Sequence, residues 1–382
     1  LTIAVNAGVE GTALKLAAQE WGSARGVPVE VVELPYANLF EKEQLDLTSR
    51  TGAYDVIMLD DPWFSRLVEG GNIAPLPRAA DPDFLPSCID VCKNPYRTGT
   101  MYALPYVGNS QLFFYRRDLF DKHQLAPPNK WDEVLAAAKT IGADEKMFGY
   151  VMRAAPGNAV VADFMPLLWA FGGDVLDPSG KPVVDSPAAI DALRFMLELG
   201  KYSPPGYAGF NADEVSAHLL ESTAVMSINW PAWIAAMDDR TKSKVVDKID
   251  FIPIPGERAP GVGELGAWLI AVPSASQHKS DAFDFMFWAT GAEQMKQAAG
   301  RGNPPTRRSV FESADLIASH RAFPVQLASL ESARPRPRTR QWNEIENAFG
   351  IYLSKANSGT MGPAEAMRAA QKDIAQIVES GR

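Results

Sequence analysis

The sequence has few of the residues that build metal and redox centres. Its 382 residues include two cysteines and four histidines. The histidines lie far apart along the chain, so no set of side chains has the spacing of a metal site. No HExxH motif, nucleophile elbow or phosphate-binding loop occurs. These absences predict a protein that needs neither a metal ion nor a cofactor.

Positive charge is also scarce. Lysine and arginine total 37 against 46 aspartate and glutamate residues, which gives a formal net charge of −9 at pH 7. Binding to a nucleic-acid backbone requires clustered lysine and arginine, so a nucleic-acid partner is not expected. The one basic cluster, RPRPRTR at 334–340, is interrupted by prolines and is interpreted as a solvated loop.

Long hydrophobic runs are missing too. No apolar stretch approaches the roughly 18 residues that a membrane-spanning helix needs. The chain begins directly with a strand, LTIAVN, so either a leader has been removed or the sequence starts late. Hydrophobic residues make up 46% and charged residues 22%, which is ordinary for a globular chain with a sizeable core. The length allows two domains.

Strands and helices alternate through the first part of the chain. Periodicity predicts strands at 1–6, 27–34 and 54–59, and helices at 12–21, 39–47 and 62–70. This alternation is typical of βαβ units around a parallel sheet. Further along, the pattern predicts a strand at 148–152 and one continuous helix at 280–299.

The stretch at 99–120, GTMYALPYVGNSQLFFYRRDLF, is the one around which the chain is organised. Two apolar strands are separated by the polar break Gly108–Asn109–Ser110, and a helix follows. A simple β-bulge would explain such a break. The amino-acid sequence of this stretch and of its flanking segments favours a functional interpretation instead.

This stretch resembles the extracellular solute-binding proteins of sugar ABC transporters, the maltose-binding-like group. YDVIMLDDPWFSRLVEGGNIAPL precedes it, and LLWAFGGDVLD, STAVMSINWPAW, ELGAWLIAVPSAS and GRGNPPTRRSV follow in family order. No single block identifies the family, but five blocks in the family's order are specific. Together they cover nearly the whole chain. The resemblance implies a non-catalytic periplasmic or extracellular protein, free or lipid-anchored, that delivers a sugar or sugar alcohol to a membrane permease.

The same resemblance implies an α/β architecture of the type II periplasmic-binding-protein fold. Two lobes with parallel-rich sheets flanked by helices would enclose an interlobe ligand cleft with a hinge. The N-terminal lobe is expected at 1–109 plus 265–309, and the C-terminal lobe at 110–264 plus 310–382. The chain is expected to cross between lobes near 108–112, 258–266 and 307–313, and to act as a monomer.

Polar side chains follow the first three strands, where helix N-termini also offer free N–H groups. Sugars present hydroxyl pairs and flat C–H faces, which suit planar polar side chains and aromatic rings. Glu10 and Tyr36 are candidates, although Glu10 fits equally well as favourable charge at a helix N-terminus. The resemblance implies that an aspartate at this point binds the ligand, which favours Asp60 or Asp61 as a ligand contact over a simple cap for the helix at Pro62.

Further candidates lie at the crossings and at later strand ends. Asn109 is the strongest polar candidate, and Gln111 lies beside it on the same crossing. Trp230 and Trp268 adjoin proline or glycine at strand ends, so their rings are predicted to be ligand platforms. Trp233 is a weaker candidate of the same kind.

The resemblance adds two candidates and bears on the cysteines. It places Gly172 at the cleft, and it suggests that Arg334 reaches the ligand, although a solvated loop explains Arg334 nearly as well. Cys88 and Cys92 would lie too far apart for a disulfide on a regular helix. Because prolines bracket the pair and an exported protein meets an oxidising compartment, a bridge is favoured over free thiols.

Two other functions stay open. A carbohydrate-active hydrolase would need a carboxylate pair across the cleft, for example Glu10 with Glu264. Asp60 and Asp61 do not suit that role, since adjacent residues at a strand end are expected to point in opposite directions. Alternatively, the binding fold could hold a non-sugar ligand such as a polyamine or a peptide.

Overall fold

The computed structural model describes residues 1–381, which form two compact units. Unit 1 comprises Leu1–Ser110 and Leu265–Arg340, and unit 2 comprises Gln111–Glu264 and the residues from Gln341 onward. The predicted α/β class with two units is confirmed. The chain passes between units at 110–111, 264–265 and 340–341, and the last of these passages lies well beyond the expected 307–313.

The strands in chain order are β1 Thr2–Asn6, β2 Glu30–Leu34, β3 Val56–Asp60, β4 Lys93–Asn94, β5 Thr100–Met101, β6 Ala103–Val107, β7 Leu112–Arg116, β8 Met226–Asn229, β9 Ile249–Ile252, β10 Glu264–Leu265, β11 Trp268–Ala271 and β12 Arg334–Pro335. The α-helices in chain order are α1 Val9–Arg25, α2 Tyr36–Ser49, α3 Phe64–Glu69, α4 Pro86–Asp90, α5 Arg117–Lys122, α6 Trp131–Glu145, α7 Asn158–Ala170, α8 Pro187–Gly200, α9 Ala212–Leu220, α10 Ile234–Met237, α11 Lys279–Ala289, α12 Ala292–Gly300, α13 Arg308–Phe311, α14 Ala314–Ser319, α15 Phe323–Ser332, α16 Trp342–Asn357 and α17 Pro363–Ser380. Short 3₁₀ turns lie at Asp61–Trp63, Tyr207–Gly209 and Pro231–Trp233.

A five-stranded mixed sheet forms the centre of unit 1, in the order β2–β1–β3–β11–β6. β1 pairs in parallel with β2 and β3, as the alternation of strands and helices predicts. β11 runs antiparallel to both β3 and β6. All β3 residues are buried, as expected for an apolar strand covered on both faces. The carboxyl ends of β1, β2, β3 and β6 therefore share one edge, where β11 begins.

Residues 310–340 pack in unit 1, which corrects their assignment to the second lobe. Phe311, Phe323 and Leu330 belong to the hydrophobic core of unit 1. The hydroxyl groups of Ser110 and Ser329 lie 2.7 Å apart, both buried in the same unit. The assignment from the resemblance was wrong because the apolar side chains of this segment complete the first core rather than the second.

The predicted helix at 280–299 is two helices, α11 and α12. Thr290 ends the first, and its side-chain hydroxyl donates a hydrogen bond to the carbonyl of Met286 at 2.9 Å. Gly291 has extended backbone angles and precedes the first residue of α12. A hydroxyl bonded back into the last turn, followed by a residue with no helical preference, explains the break.

The cysteines are free thiols, so the favoured disulfide is absent from the structure. Cys88 lies in α4 and Cys92 follows one turn later, with its Sγ 3.4 Å from the carbonyl oxygen of Cys88. Side chains one helical turn apart have Cβ atoms about 5–6 Å apart, beyond the reach of a disulfide. Cys92 lies beyond the end of α4, and its amide donates a hydrogen bond to the carbonyl of Ile89 at 3.0 Å.

Glu43 is a buried carboxyl group in α2. It is 1% exposed, and neither of its side-chain oxygens accepts a hydrogen bond from residues 1–381. Burial raises the pKa of Glu43 well above its ordinary value, and the nearby Asp46 raises it further. The folded chain therefore holds a proton on Glu43 more tightly than the unfolded chain does.

Replacing Glu43 with methionine should stabilise the folded protein by about 1–3 kcal/mol, the usual cost of an unpaired buried polar group. A raised pKa in the folded state makes wild-type stability fall as pH rises from the unfolded pKa towards the folded one. Because the protonated carboxyl is still buried and unpaired, the gain should already be present at pH 4, and it should grow towards pH 8. Urea unfolding across this range would measure it, with the exposed Glu41→Met on the same helix as the control.

Unit 2 contains a three-stranded sheet in the order β8–β7–β9. Both pairings of β7 are antiparallel, so the expectation of parallel-rich sheets holds for unit 1 but not here. Almost every residue of α7 is buried, which marks it as the central helix of this unit. It packs against α8 and α16, and α17 covers α16.

The predicted strand at 148–152 does not form a continuous ladder. Phe148 makes an isolated parallel bridge to Ala224. Val151 donates a backbone hydrogen bond to the carbonyl of Met226 at 3.0 Å. The segment is apolar and buried beside β8, so its composition predicted burial correctly but not regular pairing.

None of the helices described for residues 1–381 combines the length and apolar character needed to cross a bilayer.

Candidate functional site

The shared edge of the unit 1 sheet brings together five residues that the sequence predicts. Glu10 lies in the first turn of α1, after β1, and Tyr36 is the first residue of α2, after β2. Asp60 ends β3 and pairs in register with Trp268, the first residue of β11. Asn109 follows β6. Strand ends that meet at one edge therefore explain this grouping.

Tyr36 and Asp60 are joined by a hydrogen bond. The Tyr36 hydroxyl donates to Oδ2 of Asp60 at 2.9 Å. Asp60 is 5% exposed, whereas Tyr36 is half-buried. A carboxylate fixed by a phenol keeps a defined direction. This pair suits recognition of a hydroxyl group.

Aromatic rings lie beside this pair. The ring centroids of Tyr36 and Trp63 are 5.0 Å apart, and Trp268 lies 5.9 Å from each of them in edge-to-face geometry. Phe40 packs on the other side of Trp63 at 4.8 Å. Trp63 and Trp268 are almost fully buried. Trp268 is thus part of a packed aromatic group rather than an open platform, and sequence analysis did not select Trp63.

Two arginines face the carboxylates at the end of β3. Nη2 of Arg336 lies 3.3 Å from Oδ1 of Asp60 and 3.0 Å from Oδ1 of Asp61. Nη1 of Arg338 donates to Oδ2 of Asp61 at 2.7 Å. Asp61 is fully buried and Arg336 is 2% exposed. Two carboxylates and two guanidinium groups therefore balance in charge inside unit 1.

This network corrects two expectations. Asp60 and Asp61 do not point away from each other, because both carboxylates reach Arg336. Asp61 begins a 3₁₀ turn, so the alternation of strand side chains ends at Asp60. The arginine-rich run is not a solvated loop throughout, since Arg336 is buried, Arg338 is half-buried and both are paired with aspartates, while Arg334 and Arg340 are exposed.

A signal for these arginines was present in the sequence. Two adjacent aspartates at the end of a wholly apolar strand are expected to be buried, and buried carboxylates need cationic partners. In an extended Pro-rich segment, arginines at every second position place their side chains on the same face. The segment 334–340 has that spacing, but only the folded chain places it beside Asp61.

Asp61 has a perturbed acidity. Burial raises the pKa of Asp61 to about 6, while Arg336 and Arg338 pull it down and Asp60 pushes it up. Asp61 is therefore ionised at pH 7.5 and becomes protonated in mildly acidic solution.

Glu10 is held close to the end of β1. Its Oε2 accepts a long hydrogen bond of 3.4 Å from the side-chain amide of Asn6. Gly11 makes this approach possible, since a Cβ there would lie 1.9 Å from the carbonyl oxygen of Asn6. Any side chain at position 11 would force α1 away from β1. The position of Glu10 therefore depends on a glycine one residue later.

Asn109 presents an unused polar atom. The residue is 2% exposed, and its Oδ1 accepts no hydrogen bond from residues 1–381. Its backbone carbonyl accepts a bond from the amide of Gly266 at 2.9 Å, which fixes the main chain. Buried side-chain oxygens are usually paired, so an orphan beside a candidate site is consistent with a role in binding.

Gln111, in unit 2, is a structural residue. Its Nε2 donates to the carbonyl of Ala162 at 2.8 Å, and its Oε1 accepts from the amide of Glu264 at 3.2 Å. The side chain is fully buried. Both ends of the amide are occupied by backbone groups, so the geometry gives no support to its predicted contact with a ligand.

A second group of candidates lies in unit 2 around Trp230. This residue is half-buried, and the Arg153 guanidinium lies 5.2 Å from its ring centroid. Arg153 is fixed by Asp163, which accepts from its Nε at 2.6 Å and from its backbone amide at 2.7 Å. Burial raises the pKa of Asp163, and Arg153 opposes that rise. A tryptophan stacked on a fixed cation has a defined orientation.

The remaining candidates are less constrained. Trp233 is half-buried in the 3₁₀ turn that follows Trp230. Gly172 has a φ of 86° after the end of α7, and a Cβ there would meet no atom within 4 Å. Arg334 is exposed. Within residues 1–381, no three histidine, cysteine, aspartate or glutamate side chains are grouped to hold a metal ion.

The chain is similar to a known family of proteins. Residues 6–296, well over half of the chain, match a family model described as bacterial extracellular solute-binding protein. A Sinorhizobium fredii protein named as a probable amino-acid ABC transporter periplasmic-binding protein is 26% identical over 331 residues, which cover 84% of this chain and 75% of the relative.

Two further matches have named ligands of their own. The mannitol-binding protein of Pseudomonas aeruginosa is 28% identical over 306 residues, which cover 73% of this chain and 69% of the relative. A maltose-bound protein of T. maritima matches with a TM-score of 0.91 and 26% identity, and the match covers 98% of each chain.

Proposed function

Because this chain belongs to the bacterial extracellular solute-binding proteins, we propose that it is the substrate-binding component of an ABC importer and captures a sugar or sugar alcohol. The chain would act outside the cytoplasmic membrane and hand its ligand to the permease of the transporter. Mannitol and maltose are named for two similar proteins, which supports a carbohydrate or polyol ligand.

The observation that carries the proposal is the group formed by Tyr36, Asp60 and Trp268 in unit 1. A phenol hydroxyl bonded to a carboxylate can hold one or two hydroxyl groups of a ligand. The half-buried ring of Tyr36, which packs edge-to-face against Trp268, offers apolar surface for C–H groups. Asn109 adds a buried amide oxygen that accepts no hydrogen bond from the described residues 1–381.

The charge balance favours a neutral ligand. Asp60 and Asp61 are matched by Arg336 and Arg338, so the group has no net charge to attract an ion. An amino-acid ligand would bring a carboxylate and an ammonium group, and each needs its own partner. For this reason the name of the Sinorhizobium relative is not carried over to this chain.

A thermal-shift screen tests the ligand class. The panel contains sugars, sugar alcohols, glycosides, amino acids and polyamines, each added to the purified chain. A ligand at 100 times its dissociation constant stabilises the folded protein by about 2.7 kcal/mol. We expect stabilisation by a neutral sugar or polyol that stays intact for hours. Stabilisation by amino acids alone, or loss of the added compound through cleavage, would contradict the proposal.

The role of Trp230 can be tested separately. Replacing Trp230 with alanine should weaken ligand binding by about 1–3 kcal/mol if its ring packs on the ligand. Calorimetric titration with the ligand from the screen measures the change. Trp288, half-buried in α11 beside Arg25, is the matched control, and Trp288→Ala should bind as wild type does. Equal affinity for both variants would remove Trp230 from the site.

A further inference from the structure

A second layer of charge lies behind Asp60 in unit 1, formed by Asp61 and Arg338. Nη1 of Arg338 donates to the Asp61 carboxylate at 2.7 Å and to the Asp61 carbonyl at 2.9 Å. Nη2 of Arg338 donates to the carbonyl of Val91 at 2.8 Å. The guanidinium also lies near the rings of Phe64 and Tyr96. One arginine thus ties together the end of β3, the residue after α4 and the segment 334–340.

The distances show which carboxylate positions Arg336. Its Nη2 lies 3.0 Å from Asp61 but 3.3 Å from Asp60. Hydrogen bonds between oppositely charged groups are usually 2.7–2.9 Å long, so the contact with Asp61 is the stronger of the two. The other oxygen of Asp60 is bonded to Tyr36. Asp61 therefore holds Arg336 in place, and Arg336 together with Tyr36 orients Asp60.

We propose that Asp61 and Arg338 are positioning residues, which hold Arg336 and the Asp60 carboxylate in the arrangement that captures the ligand. This inference rests on the proposed function of the same site. Neither residue needs to touch the ligand. Protonation of Asp61 weakens its pairs with both arginines, so ligand affinity falls in mildly acidic solution.

The other ionisable groups near Asp61 leave this assignment intact. The groups that face the Asp61–Arg338 pair are Asp60 from β3, Arg336 from the segment 334–340, Cys88 from α4, and Cys92 and Tyr96 after it. Burial raises the pKa of Cys88 to about 12 and that of Cys92 well above its ordinary value. Both thiols stay neutral between pH 5 and 8, whereas Asp61 changes charge near pH 6.

The test is the pH dependence of affinity, measured by calorimetry with D-mannitol and maltose as probes. Wild-type affinity should be constant above pH 7 and fall below pH 6, by at most about tenfold per pH unit for one linked proton. Arg338→Met removes a charge that lowers the pKa of Asp61, so the decline should begin at higher pH. Arg338→Lys keeps the charge and should leave the decline near its wild-type position.

The matched control is Arg340→Met, an exposed arginine on the same segment, which should reproduce the wild-type profile. A flat profile between pH 5 and 8 in the wild type would overturn the inference while leaving the proposed function standing. The inference would also be overturned if Arg338→Met weakened ligand binding by the same factor at every pH. If Arg338→Met does not fold, the wild-type and Arg338→Lys profiles decide.

A ligand-free measurement separates this inference from the ligand class. Carbon-13 NMR of labelled aspartate follows the titration of Asp61 directly, with Asp61→Asn used to assign the signal. A midpoint near pH 6 that moves upward in Arg338→Met supports the coupling, even if neither probe binds and the proposed ligand class fails. A midpoint at the ordinary aspartate value of about 3.9 would overturn the inference.

Discussion

Replacing Asp61 with alanine should lower the free energy of unfolding by about 3–5 kcal/mol at pH 7.5, the cost of breaking a buried ion pair from one side. The variant leaves the buried Arg336 and the half-buried Arg338 with Asp60 as the one carboxylate of the network. Two guanidinium groups then share one negative charge. The loss should be smaller at pH 5, where wild-type Asp61 is itself protonated, because its pKa is about 6.

Urea unfolding at the two pH values measures this loss. Asp281→Ala is the control, because Asp281 is exposed in the first turn of α11, where removal costs less than about 1 kcal/mol. The double variant Asp61→Ala with Arg338→Met should recover part of the stability, since it also removes one unmatched charge. A loss below about 1 kcal/mol for Asp61→Ala would mean that the network contributes little to the free energy of unfolding.

Replacing Trp268 with alanine should cost about 3–5 kcal/mol of stability, as for other large buried aromatic side chains. Trp268 is 5% exposed, and its ring packs edge-to-face on Tyr36 and Trp63. The residue also begins β11, opposite Asp60. The cavity would therefore open beside the Tyr36–Asp60 pair, and ligand affinity should fall together with stability.

Trp268→Phe separates the two effects. Phenylalanine retains an apolar ring next to Tyr36, so most of the stability should return, while the smaller ring changes the surface offered to a ligand. Chemical unfolding gives the first quantity and calorimetric titration the second. A Trp268→Ala variant that unfolds like wild type would contradict the packing described here. Unchanged ligand affinity in both variants would remove Trp268 from the site.

The fold was largely predictable because its signals are local. Alternating strands and helices, with β3 apolar throughout, predicted the parallel strands of unit 1. The same logic of strand ends brought Tyr36, Asp60 and Trp268 to one edge. Predictions of this kind need only the order of elements and the rule that parallel strands end on the same side.

What could not be predicted depends on contacts distant in sequence. Arg336 and Asp61 are separated by 275 positions, and nothing in the local pattern of either segment reports their pairing. The packing of residues 310–340 in unit 1 likewise follows from which core receives Phe311 and Leu330. The pairing of Cys88 and Cys92 depends on local geometry, and the prolines that flank the two residues wrongly favoured a disulfide.

The most direct test of the central claim is a calorimetric titration of wild-type protein and Asp60→Asn with the neutral ligand that stabilises the chain best. We expect saturable binding of one ligand per chain. We also expect at least about tenfold weaker binding by Asp60→Asn, since a hydrogen bond to a charged group contributes about 1.5–3 kcal/mol. Equal affinity for both proteins, or saturable binding of amino acids alone, would contradict the proposed function.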